Sequence, residues 1–332
     1  MIRPTDRKVF VVWAPYSRRS QSLAAELGLR LCLIHHLQFQ RPLYAPLKYV
    51  LQALHTLTVL IRERPAIVFV QDPPIFASLV VWFYTILTRR RARFIVDAHS
   101  GALLHPWWQA LRGLQRFVYR RALTVITTND ALTNQVHAWG ACSLALAGPP
   151  IQIPPGKATP LGQTFNLVLI NTFSPDEPLP AVLQAVADQP NLRVYVTGDV
   201  RKVPASYWRS APKNVTFTGF LPDADYLSLL RGADAIMSLT NDDYTLQLGG
   251  MEAVAVGKPV ITSDWPVLRE YFRQGAVFVA NTPESVLRGV IEARQSQARL
   301  SAESRDLHRA QCEEWQAAAQ YLRELMSNGV AS

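Results

Sequence analysis

Cysteine is scarce in this 332-residue chain, and the three cysteines, Cys32, Cys142 and Cys312, lie far apart in the sequence. A disulfide framework or a zinc site needs cysteines in pairs or at regular spacings, so the sequence offers neither. Isolated cysteines are typical of a reducing compartment. We therefore expect a cytoplasmic protein.

Long apolar runs are also missing. The longest, IFASLVVWFYTIL at residues 75–87, has 13 residues, whereas a membrane-spanning helix needs about 20. The first residues, MIRPTDRKVFVVWAPYS, are a charged tail that leads into a short apolar strand, which does not resemble a signal peptide. Hydrophobic residues make up 49% of the chain and charged residues 18%, a composition that excludes a disordered protein.

Acidic residues are few in the first half only. Residues 1–150 hold 18 Lys and Arg against 6 Asp and Glu, a net charge of +12, whereas residues 151–332 hold 16 against 19, a net charge of −3. This asymmetry predicts an anionic partner for the first half: phospholipid headgroups, a pyrophosphate-linked acceptor or nucleic acid. Nucleic acid is the weakest candidate, because the basic residues are not interleaved with aromatics on a recognisable module. An ordinary solvated basic surface is the alternative.

Short strands rich in Val and Ile alternate with helical patterns along the first half. The strands are KVFVVWAP, LRLCLIHH, RPAIVFVQDPP, RFIVDAHS and LTVITTN. We expect helices from Ser17 to Gly28 and over residues 47–62, 75–87 and about 107–121. This alternation predicts a parallel sheet covered on both faces, a Rossmann-like layer whose functional groups gather at the carboxyl ends of the strands.

A Pro- and Gly-rich passage, AGPPIQIPPGKATPLGQ at residues 147–163, has the composition of an interdomain linker. The alternation of strands and helices resumes after it. The sequence therefore predicts an α/β protein with two Rossmann-like domains, residues 1–150 and 151–303. A last amphipathic helix, about residues 304–332, is a candidate to pack back onto the first domain.

The second half carries a characteristic order of segments. NVTFTGFLPDADYLSLLRGADAIMSL (214–239) is followed by GGMEAVAVGKPVITSD (249–264) and LREYF (268–272). With this set, most of residues 165–290 resembles the GT-B glycosyltransferases near glycosyltransferase family 4. The resemblance implies two doubly wound domains that face each other across a cleft, the second for a nucleotide sugar and the first for the acceptor. It also implies retention of the anomeric configuration, with no metal ion or further cofactor.

The donor site is expected where a polar loop enters the Glu-Ala helix. Free backbone amides and the helix dipole at such a terminus bind anions, and glycine lets the backbone approach a ligand closely. A diphosphate fits there, and the candidate residues are Tyr244, Thr245, Leu246, Gln247, Gly249 and Gly250. By resemblance, Glu252 accepts hydrogen bonds from the ribose hydroxyls, while Gly219, Phe220 and Leu221 border the base. A glutamate favoured only by the helix dipole is the alternative.

Two features depart from the family pattern. A second acid, which contacts the transferred sugar, usually stands eight positions before the glutamate; here Tyr244 occupies that position, with Asp243 just before it as a substitute. The family usually also supplies basic residues from the loop after the first strand of this domain. That loop, residues 171–178, has none. Arg201 and Lys202 are the candidates to replace them, with solvated surface charge as the alternative.

In the first domain, His99 follows the strand RFIVDA. The resemblance places a histidine of this region near the donor sugar, so His99 is a candidate catalytic residue. Asp97 lies on the same strand face two residues earlier, and it would orient His99 or act as a base. Capping of a neighbouring helix is the alternative for both residues.

Four arginines, Arg89, Arg90, Arg91 and Arg93, follow the apolar helix 75–87. They are candidates to bind an anionic membrane surface or acceptor. The helix itself is expected to belong to the core, with interfacial burial as the alternative. Residues 70–74, VQDPP, resemble a turn of glycosyltransferases that act on lipid-linked acceptors. A peripheral position on the inner face of the cell membrane follows from these features.

The resulting prediction is an enzyme of polysaccharide or lipid-linked glycan assembly. It would transfer a sugar from a nucleoside diphosphate sugar to a membrane-associated acceptor. One alternative is a catalytically silent GT-B subunit that binds nucleotide or recruits a partner to the membrane. A sugar epimerase is another, but it needs carboxylates flanking the sugar, and only Glu252 is convincing. The sequence leaves open the sugar, the nucleoside, the acceptor and the oligomeric state. Because Tyr244 stands at the usual position of the acid, it also leaves open whether the configuration is retained or inverted.

Overall fold

The computed structural model describes residues 8–37, 44–89, 91–203, 205–243 and 245–331. Two of the predicted site residues, Arg90 and Tyr244, lie outside the described residues. The chain divides into two compact units. The first consists of Met1–Pro149 with Glu314–Ser332, and the second of Pro150–Glu313. Each unit contains one six-stranded sheet in which every described strand pair is parallel, so the predicted α/β class is confirmed.

The sheet of the first unit has the strand order β2-β1-β3-β4-β5-β6. Its strands are β1 (Lys8–Val12), β2 (Arg30–Leu33), β3 (Ile67–Asp72), β4 (Arg93–Ala98), β5 (Val125–Thr127) and β6 (Ser143–Ala145). At the carboxyl edge Gln71 pairs with Asp97, and Asp72 with Ala98. The register thus brings the polar ends of β3 and β4 side by side.

Among the described residues, seven helices of the first unit precede the second unit in the chain. They are α1 (Arg18–Leu27), α2 (Ala45–Glu63), α3 (Ile75–Leu87), α4 (Ser100–Leu104), α5 (Pro106–Gln109), α6 (Arg112–Tyr119) and α7 (Asp130–Ala138). The single helix predicted over residues 107–121 was wrong, because Pro106 starts a short helix of its own, with the His105 ring accepting from the amide of Trp107. Neither α7 nor the three-residue β6 was predicted.

Capping fixes α1 where the sequence predicted it. The Ser17 hydroxyl accepts from the amide of Ser20, and Gly28 ends the helix with a left-handed φ of 65°. Alternate residues of β1 then enter two different cores. Val9 and Val11 pack with residues of α2 and α3, whereas Phe10 and Val12 pack with α1 and the last helix of the chain.

The sheet of the second unit has the order β12-β11-β10-β7-β8-β9. Its strands are β7 (Phe165–Leu169), β8 (Leu192–Thr197), β9 (Val215–Gly219), β10 (Ala235–Ser238), β11 (Val260–Ser263) and β12 (Ala276–Val279). A 3-10 turn occupies Val200–Lys202. The helices are α8 (Leu179–Val186), α9 (Ala205–Arg209), α10 (Asp223–Gly232), α11 (Leu248–Ala255), α12 (Pro266–Tyr271), α13 (Pro283–Gln295) and α14 (Gln297–Ala331).

The last helix, α14, is longer than predicted and belongs to both units. It begins at Gln297 rather than near residue 304. The part of α14 before Glu314 belongs to the second unit. The part from Glu314 onwards belongs to the first unit. Trp315, Ala319 and Leu322 are buried in the core that also contains Phe10. The end of α14 therefore helps to cover one face of the first sheet. No helix among the described residues is both long and apolar enough to cross a bilayer.

The Pro- and Gly-rich passage predicted to be a linker is bound to the second unit over part of its length. The amide of Thr159 donates to the carbonyl of Ser228 at 2.9 Å, and Arg231 donates to the carbonyl of Pro154 at 2.7 Å. A Cβ on Gly232 would lie 2.3 Å from the Thr159 carbonyl oxygen. The passage lacks helix and strand, but it packs along α10 instead of forming a free spacer.

Candidate functional site

The loop after β10 is fixed by hydrogen bonds around Thr240. The Thr240 amide donates to Ser263 Oγ at 2.9 Å, and its hydroxyl donates to Asp176 Oδ2 at 2.8 Å. The Thr240 carbonyl accepts from Trp265 Nε1 and from Asn281 Nδ2, both at 2.8 Å. Because three other segments bind this one residue, the loop that leads into α11 leaves the sheet along a defined path.

Helix α11 begins without a side-chain cap. Gln247 occupies the N-cap position but accepts from no amide of the first turn. Its Oε1 instead lies 3.3 Å from the Ser238 hydroxyl. The first helical bond runs from the Met251 amide to the Gln247 carbonyl. The preceding amides of the turn therefore retain the anion-binding character of a helix N-terminus.

Both glycines at the start of α11 are required by the packing of the protein itself. A Cβ on Gly249 would lie 2.8 Å from Ser238 Oγ and 2.9 Å from Ile170 Cγ2. A Cβ on Gly250 would lie 2.6 Å from Cζ of Phe272. The sequence analysis attributed these glycines to close approach of a ligand. The structure adds a second reason, because their missing side chains face the core, where both residues are buried.

Glu252 lies one turn into α11 and is 9% exposed. The hydroxyl of Tyr226, on α10, donates to its Oε2 at 2.6 Å. A buried carboxylate needs such partners, and this one also sets the direction of the side chain. The sequence analysis missed Tyr226, because the pattern DADYLSLL is that of an amphipathic helix in which an aromatic residue belongs to the core.

The three residues expected to border the base follow β9. Gly219 has a left-handed φ of 70°, which glycine tolerates readily. Phe220 is 78% exposed, whereas Leu221 packs partly against the core beneath α11. An aromatic ring this exposed at the carboxyl end of a strand is available for stacking on a planar ligand.

The acidic loop after β7 is held by hydrogen bonds between its own residues. The Glu177 carboxylate accepts from the amides of Thr172 and Ser174, each at 2.9 Å. Burial by itself raises the pKa of Asp176, but hydrogen bonds from Ser174 and Thr240 outweigh it and lower the pKa. These acids fold the loop and stabilise its turn. They do not supply the cationic groups that the family pattern has there.

The proposed substitutes for those cations lie in the 3-10 turn after β8. Arg201 is exposed, and its guanidinium donates two bonds of 2.8 Å to the Asp199 carboxylate. This hydrogen bonding holds the pKa of Asp199 at about 2. Lys202 is also exposed. For Arg201 to bind a phosphate, it would have to exchange its carboxylate partner.

Asp243, the candidate substitute for the missing acid, is exposed in the turn before α11. Asp223, by contrast, stands at the first position of α10, where an acid is favoured by the helix dipole. Among the described residues, no three His, Cys, Asp or Glu side chains form a cluster that could hold a metal ion.

In the first unit, Asp97 is fully buried at the end of β4 and is bound by Arg19. Arg19 Nε and Nη2 donate to Asp97 Oδ1 at 3.0 and 2.8 Å. Burial by itself raises the pKa of Asp97, but Arg19 and His99 outweigh it and hold the pKa well below its ordinary value. Such a carboxylate is a poor proton acceptor at neutral pH, so the geometry favours orientation of His99 over action as a base.

Arg19 also binds the segment that follows β6. Its Nη1 and Nη2 donate to the carbonyls of Ala147 and Leu146, at 2.6 and 2.9 Å. The sequence analysis missed Arg19. The available signal was Asp97 itself, because a charge in a strand of apolar residues requires a partner of opposite sign.

His99 follows β4 and is held by its backbone, whose amide donates to the Asp72 carbonyl at 2.8 Å. Its ring Nε2 lies 3.4 Å from Asp97 Oδ2 and is buried without a hydrogen-bond partner among the described residues. His99 occupies the N-cap position of α4, but its side chain makes no capping hydrogen bond. The capping alternative is therefore wrong for His99, and Asp97 instead binds Arg19.

Asp72, which ends β3, is a second fully buried acid. Its Oδ2 accepts from the Tyr119 hydroxyl at 2.7 Å. Its Oδ1 has no hydrogen-bond partner among the described residues. Burial raises the pKa of Asp72 to about 7, and the Tyr119 bond only partly opposes this. Two carboxyl groups with opposite pKa shifts thus stand at the ends of adjacent strands.

The helix before the arginine cluster is mainly a core helix. Ile75, Val81 and Tyr84 of α3 are buried in the first unit, in agreement with the sequence analysis. The end of α3 differs, because Phe83, Ile86 and Leu87 are exposed there. Arg89 and Arg91 are exposed beyond it, whereas Arg93 is half-buried at the start of β4.

Two known domain families match the chain. Residues 5–145 match the family described as "Glycosyl transferase 4-like domain". Residues 180–325 match the family described as "Glycosyl transferase-like". Together the two matches cover most of both units. No curated protein sequence is similar enough to this chain to match it.

Several solved structures share the fold across both units. HepE of Anabaena in complex with UDP superimposes with a TM-score of 0.72 at 14% sequence identity, covering 97% of this chain and 100% of that chain. Sucrose-phosphate synthase from Thermosynechococcus elongatus has a TM-score of 0.70 at 13% identity, covering 98% and 99%. A glycosyltransferase from Rickettsia africae has a TM-score of 0.70 at 10% identity, covering 98% and 99%. At these identities the likeness concerns the fold.

Proposed function

This chain belongs to the GT4-like glycosyltransferases of the GT-B fold, and on that premise we propose that it transfers a sugar from a uridine diphosphate sugar to a membrane-associated, lipid-linked glycan acceptor. Its dependence on a nucleotide sugar comes with the family. We propose three features beyond those of the family: uridine as the nucleoside, a lipid-linked acceptor, and retention of the anomeric configuration. We assign the donor to the second unit and the acceptor to the first.

The observation that most supports this donor site is the position of Glu252, one turn after the uncapped start of α11. The proposed donor places its diphosphate at the first-turn amides and its ribose hydroxyls at the Glu252 carboxylate, which Tyr226 already orients. As the bond to the leaving diphosphate breaks, charge accumulates on its oxygens. Amides that are fixed in advance stabilise that charge without reorganisation. Phe220 would stack on the base.

The choice of uridine rests on HepE. Its structures are described in complex with UDP, with UDP and glucose, and with UDP-glucose. The last of these superimposes on this chain with a TM-score of 0.67 and covers 98% of it. Because the fold is shared while the identity is low, UDP and UDP-glucose are the first ligands to test.

In the first unit, we propose that His99 contacts the transferred sugar and that Asp97 and Arg19 position it. A histidine can donate a hydrogen bond to a hydroxyl, and the ionised Asp97 favours the ring orientation in which Nε2 faces it. Arg19 keeps Asp97 ionised. Asp243, exposed near the start of α11, remains the candidate for the missing sugar-contacting acid.

The acceptor assignment rests on charge. The first half carries a net charge of +12, and its exposed arginines include Arg89 and Arg91 beyond α3. A lipid-linked acceptor brings phosphates and a membrane surface together, and basic groups are attracted to both. A peripheral position at the inner face of the cell membrane belongs to this proposal.

A ligand-dependent thermal shift tests the donor site. UDP should raise the melting temperature more than GDP or ADP does, because a ligand that binds only the folded state stabilises it by mass action. Glu252→Gln should abolish most of this shift. Glu284→Gln is the matched control, since Glu284 is an exposed acid in the first turn of α13. An equal UDP shift in all three proteins would reject the assignment of Glu252.

A nucleotide-binding subunit without turnover is the second candidate. One observation favours it: the loop after β7 supplies no cation, and Arg201 is already bound to Asp199. Release of UDP from UDP-sugars distinguishes the two candidates. Slow hydrolysis that Glu252→Gln removes supports the enzyme. A UDP shift without any release of UDP from the sugars, at any acceptor offered, supports the silent subunit.

A further inference from the structure

The outer face of α2 is apolar. Leu47, Val50, Leu54 and Ile61 are all exposed, and the exposed fraction of Leu54 is 58%. At 100° per residue these four side chains lie within an arc of roughly 60°. We call these four residues the α2 stripe. Single exposed leucines need no explanation, but a continuous apolar row along a helix does.

The inner face of the same helix is mixed, because Tyr49, Ala53 and Leu57 pack partly against the core beside a row of buried polar residues. Lys48, Gln52 and Thr56 are buried at four-residue spacing, and Leu60 completes this face. The buried polar groups have specific partners: Gln52 Nε2 donates to the Ile34 carbonyl at 3.0 Å, and Trp13 Nε1 donates to Thr56 Oγ1 at 2.8 Å. Burial in this protein therefore does not account for the apolar residues of the α2 stripe.

The α2 stripe continues onto the end of α3. Phe83, Ile86 and Leu87 are exposed there. Ile61 of α2 and Leu87 of α3 line one open pocket of about 590 Å³. The apolar residues of the two helices thus form one surface of the first unit.

Arginines surround the pocket. Arg64, Arg89 and Arg91 are among its lining residues, and all three are exposed. Arg64 and Arg89 follow the last residues of α2 and α3, with left-handed φ values of 50° and 55°. Such a backbone is unfavourable for a long side chain such as arginine. The fold nevertheless places long basic side chains at both positions.

The charges decide which partner this surface fits. Along residues 44–89 and 91–93 the described acids are Glu63, which pairs with Arg30 at 2.6 Å, and Asp72, which is fully buried. Contact between two copies of this surface would bring arginines against arginines. An anionic bilayer accepts apolar side chains at its interface and attracts the arginines to its phosphates.

We propose that the α2 stripe and the end of α3 form a docking surface for a bilayer of anionic phospholipid, with Arg64, Arg89 and Arg91 on the headgroups. This deepens the membrane-associated acceptor of the proposed function, on which it rests for its biological purpose. The surface itself is defined by exposed side chains of the first unit alone. It also differs from the sequence-based expectation, in which the arginine cluster alone provided membrane contact.

Flotation of the full chain with vesicles tests the proposal. Vesicles of phosphatidylcholine are compared with vesicles that contain about one third phosphatidylglycerol, at low and at high salt. The protein should bind the anionic vesicles and be released as salt rises. Leu54→Asp should weaken this binding at least tenfold, because it removes an inserted side chain and adds a repelled charge. The double variant R89E/R91E should weaken it comparably, and inorganic phosphate at millimolar concentration should not replace the vesicles as the bound partner.

Ile291→Asp is the matched control, because Ile291 is an exposed apolar residue of helix α13 in the second unit. The Ile291→Asp variant should bind the anionic vesicles as the unaltered protein does. Circular dichroism and the UDP-dependent thermal shift, measured on all variants, separate this proposal from that of the donor site. A variant that keeps its UDP shift but loses vesicle binding supports the docking surface even where no transfer is detected.

Three outcomes overturn the proposal. One is that Leu54→Asp floats as well as the unaltered protein. Another is that the protein binds neutral and anionic vesicles equally well. The third is that the chain forms a dimer which Leu54→Asp dissociates, while no vesicle binds it; the surface would then be an interface between copies. If only the UDP shift is missing, the donor assignment fails and the docking surface stands.

Discussion

The Tyr226 hydroxyl lies 2.6 Å from Glu252 Oε2, so a phenol on α10 orients the carboxylate of α11 that is proposed to bind the ribose. Tyr226→Phe removes this bond but keeps the ring. Because a hydrogen bond to a charged group contributes about 1.5–3 kcal/mol, the affinity for UDP should fall roughly tenfold. Isothermal titration with UDP measures the change.

The control for this variant is Tyr195→Phe. Tyr195 packs partly into the same core, and its hydroxyl makes no hydrogen bond among the described residues. It should bind UDP normally. In a double variant with Glu252→Gln, the loss due to Tyr226→Phe should nearly vanish, since the phenol acts through the carboxylate. Full additivity of the two losses would contradict the positioning role.

A second prediction concerns the buried pair of Arg19 and Asp97. Arg19→Met leaves the Asp97 carboxylate buried without its cation, which costs about 3–5 kcal/mol in comparable sites. The urea midpoint of the transition that involves the first unit should fall accordingly. Arg19→Met combined with Asp97→Asn should lose less than the sum of the two single changes, because the stranded charge is gone.

Arg201→Met provides the comparison for that measurement. It breaks an arginine–carboxylate pair of similar geometry, with Asp199, at an exposed site. Exposed pairs contribute little because water competes for both partners. The midpoint should not move measurably. If Arg19→Met also left the urea midpoint unchanged, Asp97 would not depend on Arg19 for its burial.

A third prediction follows from the packing of α11. Gly250→Ala places a Cβ 2.6 Å from Cζ of Phe272, and overpacking of this kind costs about 1–3 kcal/mol. That outweighs the ~0.5–1 kcal/mol that alanine gains over glycine within a helix. The free energy of unfolding should fall, and Phe272→Leu in the same chain should recover part of the loss.

Gly113→Ala is the matched substitution, because Gly113 is also helical and a Cβ there would meet nothing within 4 Å. Stability should be unchanged or slightly raised. A destabilised Gly113→Ala together with a neutral Gly250→Ala would show that the packing argument is wrong.

A fourth prediction concerns pH. Burial raises the pKa of Asp72 to about 7 in the folded protein, against about 4 in the unfolded chain. Between these values the folded state binds more protons than the unfolded state, so Asp72 makes folding less favourable as pH rises through this window. Unfolding free energies between pH 5 and 8 should therefore decline, and Asp72→Asn should flatten that decline.

A second variant, Tyr119→Phe, also tests whether Asp72 causes the pH dependence. The Tyr119 hydroxyl lowers the pKa of Asp72, so its removal should raise that pKa and extend the decline to higher pH. Asp97 contributes nothing within the window, because its pKa lies well below its ordinary value. An identical pH dependence in Asp72→Asn and the unaltered protein would exclude Asp72 as its source.

The sequence by itself determined the fold class and the order of its elements. Apolar strands separated by helical patterns predicted both parallel sheets, and Ser17 and Gly28 marked the ends of α1 correctly. The placement of Glu252 in the helix that follows β10 and a polar loop was also predicted. These features depend on periodicity, capping and short connections, which act over a few residues.

Tertiary structure alone decided which distant residues meet. Arg19 and Asp97 are 78 positions apart, and Tyr226 and Glu252 are 26 apart. Gly249 packs against Ser238, and Gly250 packs against Phe272. Gln52 and Thr56 of α2 lie on the inner face because Ile34 and Trp13, elsewhere in the chain, bind them. A residue's own sequence neighbourhood does not specify such long-range partners, since they exist only once the sheet has brought the segments together.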